Sequence, residues 1–137
     1  MSAIAYINGT YVRKLNRCAY ACRIIIGKEI HQISGKSDEE SLTVMNSIGS
    51  KILAAEMAIK EAIKKGVKEL SIINNLNFVE DLTLGYCNPQ QEGTINYVNY
   101  INSISDQIKI DVRRPLSKEE NLMLQKLVYI ARDALNN

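Results

Sequence analysis

The stretch Asn46–Ile73 reads NSIGSKILAAEMAIKEAIKKGVKELSII. Ile48, Ile52, Ala55, Ile59, Ala62 and Ile63 fall at i, i+4, i+7, i+11, i+14 and i+15. That spacing lays one apolar stripe along a helix predicted from about Asn46 to Lys65. Gly66 is a natural stop, because glycine enters the left-handed conformation without a Cβ clash. Leu70-Ser-Ile-Ile73 then reads as a short buried strand. An amphipathic helix feeding an apolar strand belongs to a layered α/β arrangement, in which the helix packs on a sheet face.

Upstream, residues 3–35 carry the period of β structure. Ile4, Tyr6 and Asn8 alternate with Ala5, Ile7 and Gly9. Cys18–Ile26 forms a second run, Gly27 a turn, and Glu29–Ile33 a third run. Two short links of turn-forming residues imply an antiparallel meander of three strands. Residues 36–45 are polar and read as a loop. Downstream, 76–84 suits a short helix, and Gly85, Pro89 and Gly93 punctuate a loop. Ile95, Val98, Ile101 and Ile104 restore helical spacing, and 108–112 reads as a strand. Pro115 breaks the chain, and Ser117 with Glu120 has the spacing of a capping box before a last helix to about Leu135. The order β-β-β-α-β-α-α-β-α predicts one α/β domain over 1–137. Its five-stranded mixed sheet has three antiparallel strands, then two parallel ones, with helices on both faces and two right-handed crossovers.

Composition narrows the function classes. The chain has 137 residues, 46% hydrophobic and 23% charged, which excludes a disordered or low-complexity segment. No apolar run approaches the ~20 residues that span a bilayer, so no membrane partner is expected. The first residues lack a basic stretch followed by an apolar one, so no signal peptide is expected. Three cysteines, an odd count, suit reduced thiols and a cytoplasmic location. Cys18 and Cys22, four apart on a strand, lie roughly 13 Å apart, too far for one disulfide or one metal. A net charge of +2 does not by itself imply nucleic acid. The glycines are too scattered for a phosphate loop, and the tyrosines too dispersed for a stacking platform. His31, the single histidine, has no companion acid or nucleophile at a recognisable spacing and reads as an ordinary structural or surface residue.

The element order and several local strings resemble ribonuclease H, particularly the small bacterial and viroplasmin-associated type. Ala5-Tyr6-Ile7-Asn8-Gly9-Thr10-Tyr11 is similar to that family's first strand. Asn46 through Ala54-Ala55-Glu56-Met57-Ala58-Ile59 is similar to its first long helix. Leu70–Asn75 is similar to the strand ending in its third carboxylate, and Asn121 with the apolar helix after it to the final segment. The resemblance implies four carboxylates holding two divalent cations, commonly Mg²⁺, at the phosphate being displaced. Here those positions are matched by Asn8, by Lys51 or Ser50 depending on alignment, by Asn75 with Asn74 beside it, and by Gln125. A set that would carry −4 carries +1 with Lys51. The stretch Arg113–Ser117 also lacks the histidine that often assists proton movement there.

The expectation is therefore a degenerate ribonuclease H-like domain with no catalytic residue, no metal and no cofactor. It would bind RNA–DNA hybrid or structured RNA without cleaving it, through Gly9, Thr10, Asn46, Lys51, Arg113 and Arg114. One alternative is a protein-interaction or self-associating module, a homodimer included, built on the last helix. There Leu122, Met123 and Ile130 widen the stripe of Leu124, Leu127, Val128, Ala131 and Leu135. A second alternative is an active, Mg²⁺-dependent ribonuclease H.

Overall fold

The computed structural model describes residues 1–136. The elements are β1 (Ser2–Val12), β2 (Arg17–Ile26), β3 (Glu29–Ser37), α1 (Glu40–Thr43), α2 (Ser47–Lys64), β4 (Glu69–Ile73), α3 (Asn77–Leu84), α4 (Glu92–Ser103), β5 (Lys109–Arg113) and α5 (Lys118–Ala134). One five-stranded sheet has the order β3-β2-β1-β4-β5. The first three strands pair antiparallel, while β4 joins β1 and β5 joins β4 in parallel. This is the mixed sheet that the period of the sequence predicts.

The alternation along β1 sorts residues between two cores. Ala3, Ala5 and Ile7 pack with Cys18, Cys22 and Ile24 of β2 against Ile52, Ala55 and Ile59 of α2. On the other face Tyr6 joins Ala19 and Ala21 beneath Leu124, Leu127 and Ala131 of α5. Cys18 and Cys22 are free thiols, and the Cys22 thiol donates to the Ala54 carbonyl at 3.2 Å. Burial raises its pKa, so it stays a neutral core group.

Two expectations need correction. Residues 36–45 are not a loop throughout: β3 runs to Ser37, and Glu40–Thr43 form a helical turn. That turn is made by packing rather than by its own sequence. Ser41, Leu42 and Thr43 are buried, and a Cβ on Gly49 or Gly93 would overlap the carbonyls of Leu42 or Ser41. The two glycines let α2 and α4 close on α1. In α4 the buried face is Gly93, Thr94 and Tyr97, and Ile95 is exposed. The Tyr97 and Thr83 hydroxyls share a 2.7 Å hydrogen bond, which lets a buried aromatic keep its polar atom paired, while Val98, Ile101 and Ile104 of the predicted stripe still pack on the core.

Candidate nucleic-acid interface

The sequence-predicted site residues come from β1, α2, α5 and the ends of β4 and β5, and the fold gathers them where β1 passes between α2 and α5. Asn8 sits mid-strand on β1 and is 5% exposed. Its side-chain amide donates to the Leu124 carbonyl of α5 at 2.8 Å, and its Oδ1 accepts from the Gly9 N–H at 2.9 Å. Gln125, the next residue of α5, is exposed beside this contact. Asn74, just past β4, is 2% exposed. Its amide donates to the Ile7 carbonyl at 2.9 Å, and its Oδ1 accepts from Leu76 N–H at 2.9 Å. Asn75 is exposed, so the asparagine that reaches β1 is its neighbour Asn74.

On the α2 side a close approach sets the geometry. A Cβ on Gly9 would lie 2.6 Å from the Ser50 carbonyl oxygen, so only glycine lets the helix touch the strand there. The Ser50 hydroxyl donates to the Thr10 carbonyl at 2.8 Å and is fully buried. Of the two residues that could match the second family position, Ser50 is thus engaged in helix–strand packing. Lys51 is half-buried, with no hydrogen-bond or ion-pair partner among the described residues. Desolvation lowers its pKa from the usual lysine value. Asn46 precedes α2 with φ 56°, a left-handed backbone that few side chains adopt, and its carbonyl accepts from Ser50 N–H at 3.2 Å.

The basic doublet divides. Arg113 forms a two-pronged ion pair with Glu120 at 2.8 and 2.9 Å. Glu120 also accepts from the Leu116 N–H at 2.7 Å and the Tyr6 hydroxyl at 3.1 Å. Arg113 first, then these donors, hold its carboxyl down at about 2. Arg113 is therefore a charge already balanced inside the fold, whereas Arg114 is exposed and donates to Asn77 Oδ1 and the Asn75 carbonyl. The Ser117 cap is present, accepting from Glu120 N–H at 3.1 Å, but the Glu120 carboxylate turns to Arg113 instead of closing the box. Sequence reasoning missed this network, since Arg113, Tyr6 and Glu120 share no local spacing. His31 pairs with Glu29 on the sheet-edge strand β3, away from the gathered residues. The surplus apolar surface of α5 is covered in part by the domain's own sheet. Ile130 and Leu135 pack beside Ala19 and Ala21, Met123 and Val128 are partly buried, and Leu122, 53% exposed, stands apart.

No family model and no curated protein matches the sequence. Among solved structures, ribonuclease H1 of the halophilic archaeon Halobacterium salinarum superposes with a TM-score of 0.78 at 13% identity, covering 99% of this chain and 98% of that one. The N-terminal ribonuclease H domain of a Mycobacterium tuberculosis protein gives 0.77 at 12%, over 97% and 94%. The chain has the ribonuclease H fold. A third neighbour, LC11 ribonuclease H1 in complex with an RNA/DNA hybrid, gives 0.74 at 14%, over 98% and 99%. At these identities the likeness is one of fold.

The ribonuclease H fold family implies a pair of divalent cations, and the residues gathered here do not fit them. Hard cations need anionic oxygen donors close together. Asn8 and Asn74 offer amides whose donor and acceptor ends both already meet backbone groups. Ser50 is engaged, Lys51 is cationic, and Gln125 is neutral. Among the described residues no three His, Cys, Asp or Glu side chains stand together as a metal site. No hydrolytic step through metal ions follows from this donor set.

Proposed function

We propose that this domain binds RNA–DNA hybrid or structured RNA and leaves it uncut. One observation carries the reading. Asn8 and Asn74 use their N–H₂ groups as donors to backbone carbonyls, a role an ionised carboxylate cannot fill. The amides are thus working parts of a seam joining α5, β1 and β4. What remains for a polyanion is Lys51, Arg114 and the polar backbone near Gly9, Thr10 and Asn46. A lysine without a carboxylate partner, held partly out of water, is suited to a phosphate oxygen and unsuited to a neighbouring Mg²⁺.

The test joins binding to chemistry. A labelled RNA–DNA hybrid is titrated with the full chain at two salt concentrations, and the same mixtures are incubated with Mg²⁺ and with Mn²⁺. Saturable, salt-sensitive binding with intact RNA is the expected result. Cleavage that appears only with metal would establish the active-enzyme alternative, and no binding at low salt would remove the nucleic-acid reading.

A further inference from the structure

Charge is divided unevenly around the candidate interface. Residues 69–108, which include β4, α3 and α4, hold five carboxylates and no lysine or arginine. Residues 1–68 hold eleven lysines and arginines against six acids. Part of that excess lies on the turn between β1 and β2, just past the candidate site along β1. Val12 pairs with Arg17, so Arg13–Asn16 form the tip.

The tip is a built structure. Leu15 N–H donates to the Val12 carbonyl at 3.2 Å and Asn16 N–H to the Arg13 carbonyl at 3.1 Å. Asn16 takes φ 46°, and its Oδ1 receives the Tyr11 hydroxyl at 2.7 Å. Arg13 and Lys14 are exposed, and their side chains have no hydrogen-bond or ion-pair partner among the described residues. Arg17, by contrast, is held by Asp38. Arg13 is three residues beyond Thr10, roughly 10 Å along the strand. Thr10 is the residue whose carbonyl α2 grips through Ser50, and Lys51 is next in that helix. Lys51, Arg13 and Lys14 thus supply three cations without counter-charge on the β1–α2 side. On the other side, Glu80 and Asp81 belong to α3, which packs against β5, whereas Glu92 opens α4 beside Glu39 and Glu40. Arg114 stands at the border between them, tied to Asn75 and Asn77.

We propose that the domain holds one strand of a nucleic acid along a track from Lys51 to Arg13 and Lys14 at the hairpin tip, and leaves the complementary strand uncontacted. This rests on reading the site as a nucleic-acid interface. Each cation gains from a phosphate and releases a condensed counterion. A second strand laid toward α3 meets Glu80 and Asp81 and gains nothing. Three phosphate contacts give a slope near −2 in log affinity against log salt, at about −0.7 per contact on a single strand.

The experiment compares a short labelled RNA with the same RNA annealed to DNA, by fluorescence anisotropy over a salt series. Wild type is set beside Arg13→Glu/Lys14→Glu, with thermal unfolding as the folding control. Single strand and hybrid should bind within about threefold of each other, with that shallow slope. The double variant should lose about tenfold or more for both, with an unchanged Tm. A hybrid bound tenfold more tightly than either of its strands overturns the one-strand track. So does a double variant with wild-type affinity, and in both cases the nucleic-acid reading itself survives. Wild type that binds neither ligand removes both readings. Polyglutamate that displaces RNA at equal charge concentration assigns the tip to an acidic protein instead and overturns the proposal.

Discussion

Asn8 shows how one functional group changes what a position does. Its amide bridges the Gly9 N–H and the Leu124 carbonyl, so it needs a donor on one side and an acceptor on the other. In Asn8→Asp, an oxygen faces the Leu124 carbonyl with no proton between them. Chemical denaturation at neutral pH should show a loss of about 1–3 kcal/mol, the cost of leaving a buried acceptor unpaired beside a like-charged atom. Protonation restores a donor, so burial raises the new carboxyl's pKa and the loss should shrink as pH falls through that value. Lys51 makes the opposite case. Its ammonium is partly desolvated and its pKa lowered, so the charge costs the fold something. Lys51→Met should raise stability by up to about 1 kcal/mol while weakening RNA binding severalfold, a trade typical of a side chain kept for a ligand. Denaturation and anisotropy on one preparation decide it, and a variant that binds as wild type would relieve Lys51 of any role at a phosphate.

At the scale of an element, α5 is fastened to the sheet by Glu120. The carboxylate gathers Arg113 from the end of β5, Tyr6 from β1 and the Leu116 N–H from the turn before the helix. Its folded pKa of about 2 lies below the ordinary 4.5. A depressed carboxylate stabilises the fold fully above its unfolded pKa. That contribution is lost as pH falls from about 4.5 toward 2, because the unfolded chain takes up the proton first. Glu120→Gln should therefore lower Tm near neutral pH and flatten the acid limb of the stability profile in that window. A variant whose acid limb matches wild type would show that other carboxylates govern it. Of the residues that widened the α5 stripe, Ile130 packs with Ala19 and Ala21 of β2, while Leu122 is exposed.

For the whole molecule, the arrangement of charge matters more than its total. A net charge of +2 conceals an acidic segment over 69–108 and a basic one before it, and the fold sets α3 of the first on β5, away from the β1–β2 turn of the second. Much of the architecture was legible beforehand, because a period of two before residue 35 and a helical stripe over 46–65 each admit one way of burying apolar surface. The turn at Glu40–Thr43 was not legible. Its one apolar residue, Leu42, makes no periodic pattern, and the turn exists because Gly49 and Gly93 allow two other helices to close on it.

The candidate site shows the same division. The expectation of amides, and of Lys51 or Ser50, where the resemblance implies acids came from the chain's own residues, because formal charge is a property of residue type alone. Only the tertiary structure decided which asparagine reaches β1, and that Ser50 is engaged while Lys51 is open. It also decided that Arg113 is neutralised while Arg13 and Lys14, in the β1–β2 turn, are not. Those outcomes depend on which groups distant segments bring within hydrogen-bond reach, and no local spacing encodes that distance.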